Sequence, residues 1–226
     1  MNLAFLFRRR DMKKFKEAYM EALLKQIKEA AIIYQKNFVG KIFLYIFSDN
    51  FIEIRFPKES FRHLMGVNSR LSASEFYIKA LNRTLALADL QLDQSKVDLA
   101  YQKSLHFSCL NDILSQKCFI LENVKTKTYS YSFGATESNF TICIDYQNKK
   151  HGNICLPYSL RNENCMKKSS NYYEVDFIFE KEYPSKNTKY AKLLYYNPDK
   201  DINDLDKEIL SMINVEVKKE QDVQNE

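Results

Sequence analysis

Lys41-Ile42-Phe43-Leu44-Tyr45-Ile46-Phe47-Ser48-Asp49-Asn50-Phe51-Ile52-Glu53-Ile54-Arg55-Phe56 decides the fold. Two runs rich in Phe, Ile and Tyr flank Ser48-Asp49-Asn50, a trio with turn chemistry, so the stretch predicts a β-hairpin. Its second run breaks at Pro57. Phe61-Arg62-His63-Leu64-Met65-Gly66 follows and reads as a turn at the sheet edge, where a histidine and an arginine can meet ligand, the alternative for the histidine being a structural hydrogen-bonder or a merely exposed side chain.

Upstream, apolar residues recur at helical intervals from Asp11 to Asn37: Phe15, Tyr19, Leu23, Ile27, Ala30 and Tyr34 with Lys and Glu between them. This predicts one long amphipathic helix. Downstream, Ser72-Ala73-Ser74-Glu75 is a capping box for a helix through Leu81, and a second helical stretch runs over 94–114 with a break near Ser108. Beyond Lys117 the pattern changes to runs at 118–124, 127–133, 139–146, 152–157, 172–180 and 189–196, separated by Asn, Gly, Lys or Ser clusters. These are the strands of a meandering antiparallel sheet. A short amphipathic helix is expected over 201–215 and disorder from Val217 to Glu226. The fold class is therefore α+β, with N-terminal helices and a mainly antiparallel sheet in the C-terminal half. The expected divisions are a helix over 1–37, a central domain over 38–197 and an acidic tail over 198–226.

Four Gly and four Pro in 226 residues argue against a glycine-based phosphate loop, and no dinucleotide or Walker fingerprint is present. Five cysteines, Cys109, Cys118, Cys143, Cys155 and Cys165, form no C-x-x-C pair and read as small core residues in a reducing compartment. With His63, His106 and His151 as the only histidines, a zinc site would need distant ligands to converge, so no metal or cofactor is expected. No segment approaches the roughly 18 continuous apolar residues of a membrane span, and a cytoplasmic protein is expected. The net charge of +5 is unevenly spread. Residues 198–226 hold nine acids against four lysines, or −5, which leaves +10 on residues 1–197. A basic body suits a polyanion partner, because phosphate neutralisation dominates nucleic-acid affinity. The tail is a candidate competitor for that surface.

The segment Phe61-Arg62-His63-Leu64-Met65-Gly66-Val67, followed by the Ser72 helix start with Phe76-Tyr77, resembles the fourth phage-associated family of the barnase/EndoU/colicin/RelE-like nucleases. That family has an F-x-H-L-T-G-like segment before an F-Y-containing helix, and this chain departs from it at Met65. Leu156-Pro157-Tyr158-Ser159-Leu160 is similar to the family's P-x-S-L segment, and the pair 175–181 and 189–195 to its closing hairpin. The resemblance spans roughly residues 38–197. It implies a barnase/RelE-like fold, a phage or prophage origin, RNA as partner and cleavage by the 2′-hydroxyl without metal, in a toxin-like or effector-like role. Such chemistry needs a base, an acid and cations for the phosphate. On this reading His63, Ser159 and Lys189 are the catalytic candidates, and Arg62, Arg70, Lys103 and Tyr190 contact RNA or phosphate. Lys189 and Tyr190 join the site only if the last strand lies beside the His63 turn. His106 reads as packing-associated and His151 as a solvated turn. The alternatives are a catalytically inactive module of the same fold that inhibits or adapts a host protein, with a host or antitoxin partner, and a DNA-binding regulator built on the basic N-terminal helix.

Overall fold

A computed structural model describes residues 3–91, 94–127, 129–137, 139–148, 154–185 and 189–214, with side chains from Glu17 onward except those of 94–96. The N-terminal helix α1 spans Leu3–Asn37 and buries Leu23, Ile27, Ala30, Ala31 and Tyr34, the stripe its periodicity predicted. The hairpin follows as β1 (Lys41–Phe47) and β2 (Asn50–Arg55). Phe47 pairs with Asn50 across a two-residue loop in which Ser48 and Asp49 both have positive φ, 47° and 60°. That geometry matches the strand twist, and the Asp176 carboxylate fixes it by accepting from Ser48 N–H at 3.0 Å.

The His63 segment is a helix rather than the expected turn. α2 covers Ser60–Met65 and ends at Gly66 in the left-handed region, where Gly66 N–H donates to the His63 carbonyl at 3.0 Å. Phe61, Leu64 and Met65 point into the core. Their spacing is helical once Pro57 has ended the strand, which is why a turn reading missed it. α3 (Ala73–Leu81) starts at the predicted capping box. The stretch expected over 94–114 is split into α4 (Gln94–His106) and α5 (Asp112–Ser115). Then come β3 (Phe119–Lys125), β4 (Ser130–Thr136), β5 (Thr141–Tyr146), β6 (Ile154–Arg161), β7 (Asn171–Glu174), β8 (Phe177–Glu182), β9 (Lys192–Tyr196) and α6 (Lys207–Met212). The expectations for His151 and for 217–226 lie outside the described residues.

The nine strands form one sheet in the order β7-β3-β4-β5-β6-β2-β1-β8-β9, antiparallel except at β2–β6. β7 pairs with β3 while β8 pairs with β1, and only Val175 and Asp176 separate them. In a flat sheet those positions would lie about 33 Å apart, whereas the link spans no more than about 11 Å. The sheet therefore curls until β7, at one edge, and β8, next to the other, are joined by one bent segment.

β1 is buried on both faces, which explains its unbroken apolar run. Phe43, Tyr45 and Phe47 join the helices α1 to α4 in the main core, while Ile42, Leu44 and Ile46 face a second core closed by Ile202, Leu205 and Ile209 around α6. Part of the acidic tail thus packs against the sheet through its apolar residues. Four cysteines are buried, as expected of core residues, and Cys109 is exposed. Tyr34 is the hub of the main core: its ring lies 5.4–6.3 Å from Phe38, Phe56, Phe61, Tyr77 and Phe107, and its hydroxyl donates to the Pro57 carbonyl at 3.0 Å. Tyr34→Ala should cost about 3–5 kcal/mol in denaturant unfolding, because five aromatic neighbours from separate parts of the chain cannot all collapse into the space.

Candidate functional site

β2 pairs with β6 only at Glu53–Ile54 against Ile154–Cys155; beyond that point α2 packs along β6 in place of a strand. The substitution follows from Pro57, which ends β2 and frees the chain to turn helical. It brings the histidine segment beside the P-x-S-L segment, two pieces of sequence almost a hundred residues apart.

His63 lies on the solvent side of α2, and partial burial followed by the Arg62 charge holds its pKa below the ordinary value. Arg62 is anchored by donating to the Leu71 carbonyl at 2.6 Å, and Arg70 is exposed in the segment before α3. On the other side of the same turn, Lys103 from α4 lies against Gly66, so closely that a Cβ built on Gly66 would meet its Cδ at 2.9 Å and Nζ at 3.0 Å. Lys103 is 7% exposed. No hydrogen bond or ion pair joins its ammonium to any described residue. Burial, with the Arg161 charge adding to it, pushes its pKa down to about 8. A buried cation without a counter-charge is costly, and such groups cluster at functional sites.

Gly66 is required here twice over, by its φ of +68° and by the lysine packed on it. Gly66→Ala should cost about 1–2 kcal/mol for the left-handed backbone and displace the ammonium as well. Unfolding curves would report the first effect and a shifted Lys103 titration the second.

Ser159 and Arg161 lie on one face of β6, opposite Cys143 and Thr141 of β5. A register shift leaves Tyr158 unopposed between Pro157 and Ser159, bulged and 45% exposed. Ser159 is buried, and its hydroxyl has no hydrogen-bond partner among the described residues. Arg161 is half-buried; its Nη2 donates to Thr126 Oγ1 at 3.3 Å, and it hydrogen-bonds Tyr131 and Cys143, but its Nε is buried without a partner. Neither Arg161 nor Tyr158 stands out in the sequence. The signal for Arg161 is its position two residues after Ser159, which on a strand means the same face.

Lys189 and Tyr190 do not join this corner. β9 is separated from β6 by β8, β1 and β2 and begins at Lys192, so the condition that the last strand lie beside the histidine is not met. Tyr190 is fully buried in the second core, donates to Glu53 Oε1 at 2.5 Å and lies under Lys181, whose Nζ is 4.1 Å from the ring centroid. Lys189 is exposed beside it. His106 is packing-associated as read: its ring lies 5.5 Å from Phe140, and its Nε2 bonds Asn162. Among the described residues, no three His, Cys, Asp or Glu side chains gather as a metal-binding group, and no helix is long and apolar enough to cross a membrane.

Helices α1 to α4 on one face of a curled, mainly antiparallel sheet and α6 on the other, with cations lacking an ion pair where α2 meets β6, describe an α+β domain with a candidate anion site. The model of the family described as phage-Barnase-EndoU-ColicinE5/D-RelE like nuclease4 matches residues 26–197, and the chain belongs to that family. No curated protein and no solved structure matches it.

Proposed function

We propose that this protein is an RNA endonuclease of phage or prophage origin, acting in the cytoplasm as a toxin or effector and needing no metal. His63 takes the proton from the 2′-hydroxyl as that oxygen bonds to phosphorus. The bond from phosphorus to the 5′-oxygen breaks, the departing oxygen takes a proton from water, and the products are a 2′,3′-cyclic phosphate and a 5′-hydroxyl. Lys103 and Arg161 offset the charge gathering on the phosphoryl oxygens, and Ser159 donates a hydrogen bond to one of them. Arg62 and Arg70 guide the neighbouring phosphates.

The observation that carries this reading is the Lys103 side chain, 7% exposed at the Gly66 turn, with Arg161 nearby and no acid paired to its ammonium. A phosphate is the counter-charge such a site accepts, and family membership supplies the reaction class. The test is cleavage of total tRNA and rRNA in EDTA by wild type and His63→Ala, with the product ends mapped. Cyclic or 3′-phosphate ends that disappear in the variant are expected. No cleavage by well-folded wild type would reject the enzyme reading and leave a binding module of the same fold.

A further inference from the structure

The face of the sheet that carries Ser159 and Arg161 has a groove of about 690 Å³ between the β3–β4 hairpin and the segment 167–170, with Lys125, Ser130, Tyr131, Lys167 and Ser170 in its walls. Its charges do not cancel. Asp145, the acid that lines it, already accepts from Ser132 Oγ at 2.6 Å and from Tyr146 N–H at 2.9 Å, and Lys168 is paired with Glu163 at 2.6 Å. Lys125 and Lys167 are exposed and have no ion-pair partner among the described residues.

One aromatic ring, Tyr131, lines the groove, and the exposed Tyr129 and Tyr172 lie outside its lining, in the β3–β4 loop and on β7. Tyr129 and Tyr172 are 68% and 59% exposed, the highest values among the large apolar side chains described. Tyr129 sits 6.4 Å from the Tyr131 ring in the groove wall, and Tyr172 pairs with Leu121, on the face where Leu121 and Tyr131 pack with Cys143. Exposed tyrosines present flat faces on which bases can stack. Arg161 connects this groove to the α2–β6 corner: its guanidinium reaches Thr126 and Tyr131 on the groove side, and its charge acts on Lys103 on the other.

We propose that this groove binds single-stranded polynucleotide, with phosphates on Lys125 and Lys167 and bases stacked on Tyr129 and Tyr172, and leads the strand to Arg161 and Ser159. A duplex keeps its bases stacked on one another and cannot offer them to the tyrosines, so the spacing of lysines and rings selects an unpaired strand. As a path to the scissile phosphate, this rests on the endonuclease reading. As a binding site it does not.

The experiment uses the full chain and a fluorescent single-stranded oligonucleotide whose 2′-oxygens are methylated, so that 2′-attack is blocked and binding alone is read by anisotropy. Lys125→Gln with Lys167→Gln should weaken binding and lower the slope of log affinity against log salt by about 1.4, at roughly 0.7 per phosphate contact. Tyr129→Ala with Tyr172→Ala should weaken binding about tenfold or more and leave that slope unchanged. All four side chains are exposed, so the folds should survive. Unchanged affinity in either pair, or a duplex bound as tightly as the single strand, overturns the proposal. If wild type binds through the groove but cuts no unmodified RNA, the endonuclease reading falls and the groove stands; if it cuts RNA and either variant pair binds as wild type does, the reverse holds.

Discussion

Lys103→Met is expected to make the protein more stable and unable to cleave RNA efficiently. The two side chains are close in length, but methionine can lie against Gly66 without carrying charge into the core. The fall of the Lys103 pKa from 10.5 to about 8 means that the charged form is disfavoured in the folded state. At about 1.4 kcal/mol for each pH unit, the penalty is about 3 kcal/mol at neutral pH. The sign follows from proton counts. Between about pH 8 and 10.5 the unfolded lysine holds a proton that the folded one has released, so wild-type stability rises with pH across that window. The variant's advantage should be largest below pH 8 and gone above 10.5. Urea unfolding of both proteins at pH 7 and at alkaline pH measures it. A gain in stability with a loss of RNA turnover is the signature of a residue kept for function at the expense of folding. A destabilised variant would show instead that Lys103 is a structural side chain whose charge is satisfied in solution.

The second large effect is on rate. His63→Ala should lower cleavage by about 10²–10⁴-fold, the usual worth of a positioned general base, with little change in stability because the ring is exposed. The wild-type pH profile should be bell-shaped. Its acid limb lies below 6.5, where His63 must lose its proton, and its alkaline limb lies near 8, where Lys103 loses the charge that steadies the phosphate. Arg62→Gln removes the charge that adds to burial in holding the histidine down, so the acid limb should move to higher pH. A profile that keeps its acid limb in His63→Ala would assign that limb to another group.

Local patterns in the chain predicted many of the elements. The apolar stripe from Leu23 to Tyr34 is a helix because a 3.6-residue period puts those side chains on one face, and the Ser72–Glu75 capping box forms as expected because it satisfies its own backbone groups. The errors also have local causes. Phe61-Arg62-His63-Leu64-Met65 reads as a turn because Pro57 and Gly66 bracket so few residues, yet those residues suffice for a short helix when Phe61, Leu64 and Met65 have a core to enter. Met65 also explains itself there: it is fully buried, a position that favours an apolar side chain over a polar one.

What the sequence determined by itself is the α+β class, the hairpin at 41–56, the family resemblance and the concentration of positive charge in the body, because propensity, periodicity and composition act over a few residues at a time. What only the tertiary structure decided is which candidates meet. Tyr190 would flank His63 only if the last strand lay beside it, but the fold buries Tyr190 in the second core, because strand order is set by pairings between residues far apart in the chain. Lys103 looks like any helical lysine until α4 is seen against Gly66. Its burial and depressed pKa arise from contacts that exist only when the sheet has curled and α2 has taken a strand's place beside β6.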